Sequence, residues 1–264
     1  MHKFNPQGLT AVITGGGSGI GQALSQALVQ RGSTTVVVAD LNLAAARDVA
    51  QQLGPCALAM EIDVADAGSV ARVVEQVSAK HGPIDLWCSN AGLNVGDGIG
   101  ELTDWHRSLS VNVMGHVHAA RALMPAMKQR GKGWFVVTSS AAGLLSDMRT
   151  APYSTSKHAA VGFAEWLSIT SRGDGVSVHC ICPEGVRTGM TKASSEQAGK
   201  GLVFLEADEV AAHALDRIAA GEFLILPHPR VAEFEVRRAT DRQRWIETMH
   251  RAFMRMQGRT PAET

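Results

Sequence analysis

The chain contains one tyrosine, Tyr153, four residues before Lys157, a spacing that places both side chains on one face of a helix. A lysine ammonium beside a phenol favours the phenolate. The pair therefore predicts a tyrosine pKa drawn below its ordinary value of about 10, toward the range of a general acid or base. Ser140 lies 13 residues upstream of the tyrosine, where its hydroxyl could polarise a carbonyl or bind a developing alkoxide. Singly, a serine in a turn, a solvated lysine and a half-buried tyrosine are the commoner roles. Their coincidence with a second feature shifts the balance. That feature is the run Thr14, Gly15, Gly16, Gly17, Ser18, Gly19, Ile20, Gly21. Its glycines allow a tight turn and let backbone N–H groups approach a pyrophosphate at a helix N-terminus. Asp40 follows Gly21 by 19 residues, where a carboxylate can accept hydrogen bonds from adenosine ribose hydroxyls and repel a 2′-phosphate, which favours NAD over NADP. The competing roles are strand-to-helix packing for the turn and helix N-capping for Asp40.

These residues need elements to hold them. Short runs rich in β-branched residues at 9–14, 35–39, 57–62, 84–89, 134–138, 176–181 and 223–226 predict seven strands. Stretches with helical spacing at 20–31, 43–53, 69–81, 105–130, 153–171 and 207–220 predict the helices between them. Alternation of the two implies a doubly wound α/β fold, a seven-stranded parallel (Rossmann) sheet with helices on both faces. Ligands of such sheets bind beyond the carboxyl ends of the strands, which is where the glycine turn, Asp40, Asp63, Asn90, Ser139, Ser140 and Pro183 fall. We expect one dinucleotide-binding and catalytic domain over 1–227 and a C-terminal helical extension over 228–264.

Charge is balanced, 25 Lys plus Arg against 25 Asp plus Glu, so no general attraction to phosphate backbones or anionic membranes is expected. The start of the chain lacks signal-peptide order, and no apolar run has the ~18 residues of a membrane span, so a cytoplasmic protein is expected. The cysteines at 56, 88, 180 and 182 offer no CxxC and read as reduced, with Cys180 and Cys182 on one strand face. His116 and His118 have no convincing partners, so no metal is expected. A serine hydrolase elbow fails because Ile20 stands where GxSxG needs glycine.

With these segments together, the sequence resembles the short-chain dehydrogenase/reductase family in its compact single-domain branch, over nearly the whole chain to residue 226. Thr14 to Gly21 fits TGxxxGIG, Asn90-Ala91-Gly92 fits the NAG segment, and Tyr153 to Lys157 fits YxxxK. The resemblance implies that Ser140 orients the substrate oxygen, Tyr153 exchanges its proton, and Lys157 binds the nicotinamide ribose and lowers the tyrosine pKa. It implies that Asn112 holds a water in a proton relay, a role that can coexist with satisfying a bent helix. Asp63 and Val64 would border the adenine, Asn90 with Ala91 and Gly92 would line the cofactor, and Pro183, Val186 and Thr188 would lie at the nicotinamide end. One departure stands out: the family's Pro-Gly after the sixth strand is here Pro183-Glu184-Gly185. Glu184 is therefore a candidate for substrate contact or for pairing with Arg187. The extended sugar-nucleotide epimerases also use YxxxK, but they carry a further substrate domain and a GxxGxxG turn that this chain lacks.

The activity so implied is reversible hydride transfer between NAD and a secondary alcohol or ketone, with Tyr153 as the general acid/base. The alternative is a catalytically idle dinucleotide-binding sensor or scaffold. Leu93, Leu144, Leu145, Met148, Met190 and residues 202–205 could line an apolar pocket, although core packing explains most of them equally well. Residues 189–201 read as a flap that closes over substrate. From His228 onward the net charge is +3, and Trp245, Met249 and Phe253 form one apolar stripe on a helix expected near 240–256. That tail either packs on its own domain or covers a neighbour's active-site mouth in a homodimer or homotetramer. Arg238, Arg242 and Arg251 read as a solvated face.

Overall fold

Valine-rich strands with both faces apolar build the centre of the molecule, seen in a computed structural model that describes residues 2–191 and 203–259. The elements run β1 (Thr10–Thr14), α1 (Gly19–Gln30), β2 (Thr35–Asp40), α2 (Leu43–Leu53), β3 (Ala57–Glu61), α3 (Ala67–His81) and β4 (Leu86–Ser89). They continue with α4 (Leu102–Leu109), α5 (Gly115–Arg130), β5 (Gly133–Thr138), α6 (Ala142–Leu145), α7 (Ala151–Ser171) and β6 (Val176–Ile181). The chain closes with β7 (Gly185–Arg187), β8 (Phe204–Glu206), α8 (Ala207–Ala219), β9 (Leu224–Ile225), α9 (Arg230–Thr240) and α10 (Arg242–Met256).

Seven strands form one sheet in the order β3-β2-β1-β4-β5-β6-β9, every neighbouring pair parallel. Side chains alternate between two buried layers. Val12, Trp87, Phe135 and Val137 enter one core with α3, α5 and α7, while Ala11, Ile13, Leu86, Trp134 and Val136 enter the other with α1 and α8. The order reverses between β1 and β4, so the loops after these two strands splay apart and leave a crevice there. No helix among the described residues is long and apolar enough to cross a membrane.

Three local features differ from the sequence expectation. The helix expected over 105–130 is broken into α4, a π-helical turn over Ser110–Met114, and α5. A short parallel pair, β7 with β8, follows the main sheet. The tail holds two helices rather than one: Asp241 leaves helical geometry and caps α10 by accepting from Arg244 N at 2.9 Å. Helix α9 packs on its own domain through Val231, which is fully buried in the core. No residue of α10 is buried, and Trp245 of its stripe meets Phe234 of α9 with ring centroids 6.0 Å apart.

Candidate active site

The glycine turn is shaped by what it must avoid. A Cβ on Gly21 would strike the carbonyl oxygen of Gly15, and one on Gly15 would lie 2.9 Å from Ala91 Cα. Gly15 and Gly19 both have positive φ, +65° and +53°, which glycine adopts without strain. The turn is thereby pressed against the segment after β4. Thr14 Oγ1 accepts from Asn90 N (2.9 Å) and Ala91 N (3.0 Å), and Asn90 Nδ2 donates to Thr14 O (3.0 Å). Asn90, Ala91 and Gly92 are thus stitched to the carboxyl end of β1 at the reversal point.

Asp40 ends β2 and holds the same turn. Its Oδ2 accepts from Gly17 N at 2.9 Å and its Oδ1 from Asn42 N at 2.9 Å. It is not the N-cap of α2; that role belongs to Asn42, whose side chain accepts from Ala45 N. Asp63 closes a turn after β3 through Ala65 N (2.9 Å), with Val64 buried beside Gly115. On the far side of the crevice, the Thr188 methyl stands 3.0 Å from where a Cβ on Gly19 would be, so Gly19, between Ser18 and Ile20, faces the segment carrying Val186 and Thr188. Thr188 and Val186 are tied together by Thr191 Oγ1, which donates to Val186 O and accepts from Thr188 N.

The reacting corner lies one strand further along. Helix α7 begins at Ala151 with Pro152 in its first turn, where a missing N–H costs nothing, and its next turn carries Tyr153 and Lys157 on one face. Ser140 follows β5; its hydroxyl accepts from Ala142 N (3.1 Å) and donates to Pro183 O at 3.4 Å, close enough to Tyr153 to act on its phenol. Two neighbours fix this geometry: Ser139, which the sequence reading placed without a role, and Gly143, which it did not single out. Ser139 Oγ donates to Lys157 O at 2.9 Å, and Gly143 lets α6 approach α7 so closely that a Cβ there would lie 2.5 Å from that carbonyl. Gly143 is invisible to a pattern search because its reason for being glycine is a contact 14 residues away.

Lys157 is 4% exposed and its Nζ donates to Thr138 O at 3.1 Å, lying 5.7 Å from the centroid of the tyrosine ring. Burial lowers its pKa to about 8. The phenol is less enclosed, since Tyr153 is half-buried. Burial still pushes Tyr153 up from its ordinary value, Ser140 pulls it down, and Asp147 and Arg149 then act in opposite senses. This corrects the expected depression of the tyrosine pKa. Proximity to an ammonium favours phenolate, but burial penalises the charged form of each group, and here desolvation dominates among the protein's own groups.

Asn112 sits in the π-helical turn, fully buried. Its Oδ1 accepts from Leu93 N (2.8 Å), and its Nδ2 donates to Leu93 O (2.9 Å) and Ser156 Oγ (3.0 Å). Both amide protons are used in holding Leu93 to α7, and neither goes to a backbone group of the bent helix. His116 is buried and bonded to Ser89 Oγ at 2.7 Å, and burial lowers its pKa to about 3, with the Lys157 charge acting in the same sense. Cys180 and Cys182 share a buried face, Sγ to Sγ 3.7 Å.

Glu184 does not pair with Arg187. It grips Arg230 through two bonds of 2.6 Å, while Arg187 pairs with Glu206 at 2.9 Å. The reason is topological: β9 brings the chain back beside β6, so residue 230 arrives next to residue 184. Arg238 likewise turns inward, with Nη2 3.3 Å from His158 Nε2, and is not part of a solvated face. Of the expected pocket lining, Leu144 is core, Leu145 packs on that core, and Met190 is 54% exposed. Leu202 and positions 192–201 of the expected flap lie outside the described residues.

Comparison with known proteins places this arrangement. A model of the short chain dehydrogenase family matches residues 9–199. Momilactone A synthase of Oryza sativa subsp. japonica is 35% identical over 79% of this chain and 82% of its own length. Meso-2,3-butanediol dehydrogenase of Serratia marcescens is 35% identical over 68% of this chain and 72% of its own. Among solved structures, a short chain dehydrogenase/reductase from Burkholderia phymatum in complex with NAD superposes with a TM-score of 0.81 at 27% identity, covering 99% of both chains. With the glycine turn, the stitched Asn90 segment and the Ser140, Tyr153 and Lys157 corner all standing at one crevice, the chain belongs to the short-chain dehydrogenase/reductase family.

Proposed function

We propose that the protein is an NAD-dependent alcohol dehydrogenase or carbonyl reductase acting on a hydrophobic small-molecule secondary alcohol or ketone. The observation that carries this reading is Tyr153 beside buried Lys157, with Ser140 close enough to lower the phenol's proton affinity, at the carboxyl edge of the sheet and next to the glycine turn.

The crevice suits a dinucleotide on its own geometry. The turn carries no side chain at Gly15, Gly16, Gly17, Gly19 or Gly21 and leads into the N-terminus of α1, where a ligand's phosphates need backbone N–H groups. Gly15 to Gly21 would hold the pyrophosphate, Asp40 the adenosine ribose, and Asp63 with Val64 the adenine. Asn90, Ala91, Gly92, Tyr153 and Lys157 would line the nicotinamide ribose, and Pro183, Val186 and Thr188 the ring. Bound NAD supplies the hydride acceptor, or in reduced form the donor. The protein's own residues do the rest. Ser140 orients the substrate oxygen, and Tyr153 holds the proton at its phenolic oxygen, taking it from an alcohol or giving it to a ketone. Lys157 brings positive charge to the phenol below pH ~8.

The test uses purified protein, NADH, NADPH and a panel of aliphatic, aromatic, alicyclic and hydroxy-acid substrates. NADH is expected to bind at least ~10-fold more tightly than NADPH, and Asp40→Ser to narrow that ratio by a similar factor. An unchanged ratio in the variant refutes the role of Asp40. Turnover equal to wild type in Tyr153→Phe refutes the acid/base assignment.

A further inference from the structure

Glu184 occupies the position where the family pattern has glycine, and the structure shows what the carboxylate reaches. Its two oxygens accept from Arg230 Nε and Nη2 at 2.6 Å each, a bidentate pair with side chains 22% and 29% exposed. Its backbone N–H donates to Nδ1 of His228 at 3.1 Å. That bond makes Nδ1 the acceptor, so Nε2 carries the proton and donates to Gly185 O at 3.0 Å. Four bonds thus join residues 184–185 to residues 228–230, at the first turn of α9.

The joint lies one residue from the reacting corner. Pro183 O accepts from Ala141 N at 2.8 Å and from Ser140 Oγ, so Glu184 continues the strand that braces the catalytic serine. From the joint, α9 runs over α6, the turn that follows Ser140, burying Val231 with Ala141 and Leu144. Its inward residues Val231, Phe234, Glu235 and Arg238 fall at i, i+3, i+4 and i+7, one face of the helix. At the far end of that face Arg238 meets His158, the residue after Lys157. Helix α9 is therefore pinned at its start to the segment after Pro183, which braces Ser140, and at its far end to the helix that carries Tyr153 and Lys157.

We propose that Glu184, acting through Arg230, is a positioning residue that holds α9 in place as the substrate-side wall of the active site, so that the C-terminal segment sets the substrate fit. Glu184 need not touch substrate for this role. The proposal rests on the oxidoreductase reading for its kinetic consequence, but its structural consequence can be measured without any substrate.

The lone tyrosine makes that possible. In full-length protein, tyrosinate absorbance is titrated in wild type, Glu184→Gln, Arg230→Met, the double variant and Arg238→Gln, with hydrogen exchange followed on α9. Releasing the wall admits water to Tyr153, so Glu184→Gln and Arg230→Met are each expected to lower its midpoint by at least ~0.5 unit. Exchange of α9 amides should quicken ~10-fold. The double variant should equal either single, because one pair is being removed. Arg238→Gln, which leaves the joint intact, should move the midpoint the same way by less, and it decides the matter if the joint variants fail to fold. On any substrate the wild type turns over, KM should rise ~10-fold with NADH affinity within twofold. An unmoved tyrosine midpoint, additive losses in the double variant, or weakened NADH binding equal to the KM change would each overturn the proposal. Absence of turnover in wild type defeats the oxidoreductase reading alone.

Discussion

The glycine turn and the reacting corner stand at the same edge of the sheet, yet they are built by opposite means. The turn works by leaving atoms out: Gly15, Gly17, Gly19 and Gly21 each have a neighbour that a Cβ would strike or crowd. The corner works by burying polar atoms: Lys157, Ser139, Ser140 and Asn112 are all buried and bonded. One region is therefore sensitive to added volume, the other to lost hydroxyls and charges. Steric requirements at the turn are met by backbone conformation, whereas the corner's chemistry depends on how far desolvation moves its proton affinities.

The widest separation between the regions is expected from Tyr153→Phe. Removing one oxygen should cut kcat by ~10²–10⁴ with little change in the thermal unfolding midpoint, since positioned proton transfer is worth that much in rate. Gly21→Ala is the converse, one carbon added at the turn. With backbone on the other side of the clash and little room to relax, it should cost about 3 kcal/mol of stability, read as a lower urea midpoint. Wild-type stability in that variant would erase the distinction.

Lys157 sharpens the contrast through pH. Its folded pKa of about 8 lies below the ordinary 10.5, so between those values the unfolded chain holds more protons than the folded one. Its contribution to stability is therefore present above pH 10.5 and lost as pH falls through about 8. Between these limits wild type should gain up to ~1.4 kcal/mol per pH unit relative to Lys157→Met in urea unfolding. Its contribution to NADH affinity should run the other way, falling above pH 8 as the ammonium is lost. The smallest effect belongs outside both regions. Arg187 and Glu206 are more than half exposed, so Glu206→Gln should alter stability by no more than ~0.5 kcal/mol.

Much of this was legible in the chain. The seven strands appear where apolar runs lie, β-branched in β1, β2 and β5 and without a β-branched residue in β3 and β4, because a sheet covered on both faces demands apolar side chains. Tyr153 and Lys157 share a helical face because the helix makes four residues one turn apart adjacent. The break in the helix expected over 105–130 was not legible. Asn112 gives no sign in sequence that its amide will bond Leu93 and Ser156, 44 residues away for the latter. Nor did the tail's first helix announce itself, since only Val231 of α9 is buried and its apolar face is short.

What the sequence by itself determined is therefore local: a tight glycine turn, an i,i+4 phenol and ammonium, and strands whose ends present polar residues at one edge. Only the tertiary structure decided the partner of Glu184, which is Arg230 rather than nearby Arg187, and the sense in which the tyrosine is shifted. Both depend on which distant segments exclude water from a given atom. Spacing fixes which side chains can meet on one element, but desolvation and long-range ion pairs arise only once the elements have closed over each other.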